Sequence, residues 1–450
     1  GKSTSVSHLL YKLGGISERE MENLKQQAEA LGKGSFSFAF FTDNNKEERE
    51  RGITINCNTK EFFTYTKHYT IVDAPGHSDF LKNMLSGASQ CDAALLLVPA
   101  AGFETAISKG EKGSGVGQGQ TRQHASICKL LGIEQVIVGI NKMDAIEYSE
   151  EKYNEVCNEM KYMLKEIGYK TDKIPFIPYS GYLGENLVEK SDKMPWYKGF
   201  NAKLKVGEIK GFTSYDALEN VIQVPKKKLD VPPFMPVAQI LNIKGVGTIV
   251  TGCLEAGVMR KGDKVRFLPS GAHGTVFSME RHHKQLEQVE HRNNAGICIK
   301  GLDKKGGVNF PKTGDVMVLD DPAKYPGHWG KVKNITATVA IQNHNGILKT
   351  TGDGKGGFCP MMCVKTAKCP SQLVKVISKL NKTTKKMEPC GPKDQFVKRG
   401  DVAEIVMEPR KPFYCTPFTA NKGLGRFAGI DSKRLIFLGK ISKVEYTSID

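Results

Sequence analysis

No apolar run in this chain approaches the roughly 20 residues that a membrane-crossing helix needs; the longest runs from Ala93 to Ala101. A membrane-spanning helix is therefore excluded, and no membrane partner is expected. Tryptophan is scarce, with 2 residues. Paired cysteine spacing is missing as well. The 11 cysteines are an odd number scattered from Cys57 to Cys415, which argues against a disulfide framework. The chain also opens without a charged-then-apolar signal segment, so reduced thiols and a cytoplasmic location are expected. Cys359, Cys363 and Cys369 cluster more tightly, but they lack the C-x2-C knuckles of a zinc ribbon and read as buried free thiols.

Negative charge is short in one half only. Residues 1–224 carry 27 Lys and Arg against 29 Asp and Glu, net -2, whereas 225–450 carry 38 against 19, net +19. Such a field draws polyanions by counterion release, and RNA is the commonest large anion in cytosol. A merely soluble, Lys-rich surface is the plainer alternative. At about 150 residues per domain, 450 residues suggest three domains.

Val6, Leu9, Leu10 and Leu13 repeat at helical spacing before Gly14-Gly15, so a helix is expected almost from residue 2. Short apolar runs at 68–72, 93–98, 135–140 and 174–178 alternate with helical stretches at 80–86, 123–131 and 153–167. That alternation implies a mostly parallel sheet covered on both faces. After Pro225 the texture changes: Lys226-Lys227-Lys228 and Pro232-Pro233 mark a linker, and short β-like runs separated by Gly follow. Examples are 237–243, 247–251, 264–268, 336–342, 403–407 and 435–438. Two small antiparallel barrels split near Pro322 to Gly330 account for them. The expected domains are thus 1–224, 225–325 and 326–450. Whether 371–380 is helix or strand is left open by the sequence.

Four motifs fall in order on the first half. Gly1-Lys2-Ser3-Thr4 is the tail of G-x-x-x-x-G-K-[ST] placed before a helix, the start of that loop being absent from the chain. There Lys2 would neutralise β- and γ-phosphate oxygens and the Ser3 hydroxyl would ligate Mg²⁺. Asp73-Ala74-Pro75-Gly76 ends an expected strand. Asp73 suits Mg²⁺ through water, and the Gly76 N–H suits a γ-phosphate. Alone, this would be a plain turn. Asn141-Lys142-Met143-Asp144 follows another strand, where the Asp144 carboxylate can accept from the N1–H and N2–H₂ edge of guanine, a donor pair that adenine lacks. Ser180-Gly181-Tyr182 comes after the next strand, where a loop N–H could meet guanine O6. Between the first helix and Asp73, the run Glu48 to Thr54 occupies the interval of a γ-phosphate-sensing switch, with Thr54 as a second hydroxyl for Mg²⁺. In isolation it would read as a solvated charge run. His77, next to Gly76, stands where a GTPase orients the attacking water.

Taken together, these residues resemble the translational GTPases of the elongation factor 1-alpha and elongation factor Tu group. The likeness extends along the chain to Met194-Pro195-Trp196, Gly245 to Gly252 and Gly425-Arg426-Phe427-Ala428. Within the group it is similar to the elongation factor-like proteins, through Lys12 to Ile16, Glu18 to Met21 and the Gly-rich stretch Glu104 to Gly119. The resemblance implies an α/β P-loop GTPase domain followed by two antiparallel β-barrels, GTP/GDP and Mg²⁺ as cofactors, and delivery of aminoacyl-tRNA to the ribosomal A site. It also implies a guanine-nucleotide exchange factor, a monomer, His77 as catalytic residue and Ile53 in a hydrophobic gate. Glu280 would contact the terminal adenosine of tRNA, with His282 and Asn294 lining the aminoacyl pocket. Without the family, those three read as hairpin and turn residues.

Departures from the family pattern are Ser78, where elongation factor 1-alpha usually has Arg, the long 104–119 loop, and the missing start and Lys-rich tail, which suggest a partial chain. Competing readings are a termination or ribosome-rescue GTPase, the GTPase subunit of sulfate activation, or a basic RNA- or filament-binding module with a vestigial nucleotide site.

Overall fold

In the computed structural model, residues 1–450 are described except 43–44, 52, 56, 89, 111–118, 282–283, 306, 326–328, 343, 345, 351–356, 433 and 448–450, together with the side chains of Ser35 and Ser78. The chain divides into two compact units, Gly1–Pro225 and Lys226–Asp450.

The first unit opens with helix α1 (Lys2–Lys12) and α2 (Glu18–Ala30), the latter begun by Ser17, whose hydroxyl accepts from Glu20 N at 3.2 Å. Short helices α3 (Ala39–Thr42) and α4 (Lys46–Arg51) lead into strands β1 (Asn58–Phe63) and β2 (His68–Asp73). Then come α5 (Leu81–Ala88), β3 (Ala93–Pro99), α6 (Phe103–Ile107), α7 (Gln120–Leu131), β4 (Gln135–Asn141), α8 (Glu150–Ile167) and β5 (Phe176–Pro178). Helices α7 and α8 end where the sequence puts glycine: Gly132 and Gly168 take the left-handed cap at φ 85° and 97°.

Strands β3, β4 and β5 pair in parallel, Val98 opposite Ile140 and Ile140 opposite Pro178. β4 is covered on both faces, as its unbroken apolar run requires. Val136, Val138 and Ile140 face α7 and α8 with Ala125, Val156 and Met160, while Ile137 faces α1 through Leu9. Each such buried side chain stabilises the fold by about 1.5–3 kcal/mol.

One expectation is modified. The 68–72 strand pairs antiparallel with β1, Asn58 opposite Asp73, so parallel pairing among the described residues is confined to β3–β5. β1 escapes a sequence reading because Asn58-Thr59-Lys60-Glu61 is polar, and only Phe62 is buried. A second hairpin, Phe200–Leu204 with Gly207–Gly211, likewise has charged residues on its outer face.

The second unit holds two closed antiparallel rings. In the first, Lys264–Leu268, Val316–Leu319, Met235–Ile243, Gly247–Cys253, Asn294–Lys300 and His273–Arg281 pair in that order, and the last returns to the first. In the second, Met361–Val364, Arg426–Asp431, Arg434–Thr447, Lys331–Ile341, Val402–Pro409 and Ala367–Leu380 close the same way. The undecided segment 371–380 is therefore strand: alternate residues Leu373 and Met407 are cross-strand partners, and Leu373, Val376 and Ile405 are buried in one core. That core also takes in Leu268, Val316 and Val318 from the first ring, so the two barrels pack together. Across them Lys365 Nζ meets Glu255 Oε1 at 2.8 Å, both side chains under a tenth exposed. All 11 cysteines are free thiols, and no helix among the described residues is long and apolar enough to cross a membrane.

Candidate nucleotide site

The site is assembled from loops at the C-terminal ends of the central strands and the N-terminus of α1, the place where an α/β sheet leaves ligand groups exposed. Ser3, in the first turn of α1, is buried, and its Oγ lies 3.0 Å from the Oγ1 of buried Thr54. Asp73, at the end of β2, is 3% exposed, and its Oδ2 has no hydrogen-bond partner among the described residues. Burial raises the Asp73 carboxyl above the ordinary carboxylate range, opposed by the Ser3 hydroxyl and the Lys2 ammonium. Two hydroxyls in contact beside an orphaned buried carboxylate oxygen form an all-oxygen donor set of the kind a hard divalent cation takes, so Mg²⁺ fits these residues. Thr4, next along, is half-buried.

A Cβ on Gly76 would meet Lys2 Nζ, the tip of a flexible side chain, so a larger residue there would displace the ammonium rather than the backbone. His77 is half-exposed. Its Nδ1 lies 3.3 Å from Asp79 N and 3.8 Å from Asp79 Oδ1. Ile53 is half-buried and its N–H reaches Glu48 O at 3.3 Å.

A second cluster forms around Asn141, 5% exposed at the end of β4. Its Oδ1 accepts from Lys142 N at 2.7 Å and from Gly181 N at 2.9 Å, and its Nδ2 donates to Ser5 Oγ at 3.3 Å. Ser5 in turn donates to Gly1 O at 2.8 Å. One amide thus joins its own loop, the Gly181 loop and the start of α1, segments that lie far apart in the chain. Lys142 takes a left-handed φ of 65°, which turns the chain so that Asp144 follows into the loop. The Asp144 Oδ1 is buried and has no partner among the described residues. Buried Ser180 accepts from Leu183 N at 3.2 Å, leaving Tyr182 half-exposed, and Gly181 admits no Cβ because Ser5 Oγ occupies that space.

Several residues here carry no motif. Ser5 supports the Asn141 amide just described, and His8 Nδ1 meets Gly181 O at 3.0 Å while its ring stacks on Phe38 at 4.2 Å. Burial holds His8 below the ordinary imidazole range. His124 on α7 is pushed down to about 4 by burial and by the Lys2 charge. Helical spacing places Ser5 and His8 on α1 but does not say which loop each meets.

In the first barrel, Glu280 is exposed on a strand opposite Gly296, and Asn294 lies two residues earlier on that same partner strand. The Asn294 Oδ1 is buried without a partner among the described residues. His282 lies outside the described residues, as do 111–118 of the Gly-rich loop.

Residues 1–227 match the family model of the Elongation factor Tu GTP binding domain, 247–318 that of Elongation factor Tu domain 2, and 334–442 that of the GTP-eEF1A C-terminal domain. Among curated relatives, Elongation factor 1-alpha of Aeropyrum pernix is 40% identical over 454 residues, covering 100% of this chain and 95% of that protein. Elongation factor 1-alpha of Plasmodium falciparum is 38% identical, covering 99% and 93%. Among solved structures, the GTPase-like domain of Saccharomyces cerevisiae Ski7 bound to GTP has a TM-score of 0.75 at 16% identity, covering 98% of this chain and 94% of that one. The bacterial selenocysteine-specific elongation factor EF-Sec gives 0.61 at 17%, covering 91% and 55%. At those identities the structural likeness speaks to fold alone.

Proposed function

Because the chain belongs to the translational GTPase family of elongation factor 1-alpha and elongation factor Tu, we propose that its particular task is to bind aminoacyl-tRNA in the GTP-bound form and deliver it to the ribosomal A site. As a member of that family it is a GTPase acting in translation. The observation that carries the finer reading is the near-complete match to Elongation factor 1-alpha across both barrels as well as the GTPase domain.

In this reading the domains are 1–224, 225–325 and 326–450. The N-terminus of α1, with the Gly1 to Thr4 backbone, cradles the phosphates, and Lys2 neutralises their β and γ oxygens. Ser3, Thr54 and, through water, Asp73 hold Mg²⁺, which when bound offsets the negative charge shared by those oxygens. Asp144 reads the guanine N1–H and N2–H₂ edge, Asn141 and Lys142 shape its loop, and Ser180, Gly181 and Tyr182 close over the base. His77 orients a water against the γ-phosphorus. The water oxygen bonds to phosphorus, the bond to the β–γ bridging oxygen breaks, and GDP, phosphate and a proton leave. Ile53 screens the His77 ring until the ribosome aligns it. Glu280 and Asn294, with His282, receive the tRNA end; the Asn294 Oδ1, buried and unpaired among the described residues, has an acceptor to offer there. An exchange factor reloads GTP on a cytoplasmic monomer.

The test is protection of aminoacyl-tRNA from spontaneous deacylation by the full-length protein. Protection with GTP and not with GDP is expected. Equal protection, or none, removes the delivery role and leaves another translational GTPase activity.

A further inference from the structure

Thr54 Oγ1 lies 3.0 Å from Ser3 Oγ, yet Ile53, Thr54, Ile55 and Cys57 belong to no helix or strand, so this placement depends on side chains that hold the segment. Ile55, the residue that follows Thr54, is gripped through both of its backbone polar groups. On one side stands Glu48 of α4, a carboxylate with 0% exposure. Its Oε1 accepts from Ile55 N at 2.8 Å and its Oε2 from Asn45 N at 3.4 Å. On the other side Asn83 of α5 donates through Nδ2 to Ile55 O at 3.0 Å. The base of the grip is itself fixed. Arg49, beside Glu48, donates to Phe40 O at 2.9 Å and to Gln27 Oε1 at 2.7 Å, and Lys33 Nζ donates to Arg49 O at 3.1 Å. A buried carboxylate in such a place is costly unless its bonds are made.

We propose that Glu48 and Asn83 act as a pair of positioning residues, a clamp on the backbone of Ile55 that presents the Thr54 hydroxyl to the γ-phosphate side of the site and couples it to the helix following His77. Neither side chain touches the reacting atoms; both act through Ile55. Thr54 is the group that answers to the γ-phosphate, so the clamp matters to GTP and not to GDP. A residue that only stabilised the fold would weaken both nucleotides alike. This inference rests on the reading of Ser3 and Thr54 as the γ-phosphate-sensing hydroxyls.

The experiment measures dissociation rates of fluorescent GTP and GDP from the full-length protein in Mg²⁺ for wild type, Glu48→Ala, Glu48→Gln, Asn83→Ala and the Glu48→Ala/Asn83→Ala double variant, with thermal melting of each. Each alanine variant should release GTP about tenfold faster, the size of a lost charge-assisted or buried hydrogen bond, with GDP release within twofold of wild type. Glu48→Gln should lose less, since its amide oxygen can still take the Ile55 N–H. The double variant should be no worse than about the worse single, because both side chains work through one residue, Ile55. Glu47→Gln, on the exposed side of α4 and paired with Arg51 at 3.0 Å, should match wild type. Equal acceleration of GTP and GDP release, or fully multiplicative effects in the double variant, overturns the clamp while leaving the nucleotide site standing. A wild type that retains neither nucleotide overturns both. Should Glu48→Ala fail to fold, Glu48→Gln and Asn83→Ala carry the same comparison.

Discussion

Replacing Asn141 by alanine tests the claim that one side-chain amide joins the two loops of the base site to the start of α1. The substitution removes the acceptor of Gly181 N and Lys142 N and the donor to Ser5 Oγ. Lys142 is exposed, so its N–H regains water, whereas Gly181 N is buried and is left unpaired. An orphaned buried donor costs about 1–3 kcal/mol, and the lost packing of a 5%-exposed side chain adds to it, for a total of roughly 2–4 kcal/mol. For a unit of this size that lowers Tm by roughly 4–16 °C. Asn141→Asp is the sharper comparison. It keeps Oδ1 for both N–H groups and turns only the donor facing Ser5 into an acceptor, which the Ser5 hydroxyl can meet by giving up Gly1 O. That change should cost about 1 kcal/mol. Differential scanning calorimetry of the nucleotide-free protein, followed by GDP titration, reads both quantities, and GDP affinity should fall at least tenfold in Asn141→Ala. An alanine variant within about 0.5 kcal/mol of wild type, or an aspartate variant worse than alanine, refutes the reasoning.

His77→Ala should keep GTP affinity and lose ribosome-stimulated hydrolysis, because it removes a water-orienting group and no phosphate ligand; single-turnover hydrolysis on ribosomes checks this, and an unchanged rate removes His77 from the mechanism. Asp144→Asn should shift preference from GTP towards XTP by about 10- to 150-fold, the range of one charge-assisted pair, in competition binding; retention of the wild-type preference for GTP contradicts the base assignment. Asp315, buried beside the first barrel, has its carboxyl pushed up to about 6 by burial despite accepting from Lys312 N at 2.8 Å. A folded-state pKa raised above the unfolded one contributes stability that is fully present near pH 4 and lost as pH rises through 6, so wild type should lose up to ~3 kcal/mol relative to Asp315→Asn across that window. Urea unfolding of both proteins at pH 4, 5 and 6.5 decides, and a constant difference would exclude the effect.

Local chemistry made the larger elements readable. Helix α1 follows from Val6, Leu9, Leu10 and Leu13 at helical spacing, the ends of α7 and α8 from Gly132 and Gly168, and the buried β4 from an uninterrupted apolar run. The phosphate and base motifs were readable for a related reason. A tight approach to a phosphate or a base demands particular residues at fixed offsets along one loop, and Lys2, Ser3, Asp73, Gly76, Asn141 and Asp144 keep those offsets. β1 was not readable, because its polar residues form a strand only through pairing with β2. Nor was the undecided 371–380 segment, whose Leu373 and Val376 become strand residues by closing a barrel against 402–409. The same limit governs the site. That Ser5 supports Asn141, that Gly76 lies over Lys2 and that Asn83 reaches Ile55 are contacts between residues 136, 74 and 28 positions apart, made by helix and loop segments that the folded sheet brings together. Spacing along the chain fixes what a residue can do within one turn of helix or one loop; which distant partner it meets is fixed by how strands order themselves and faces bury, and that is decided only in the folded state.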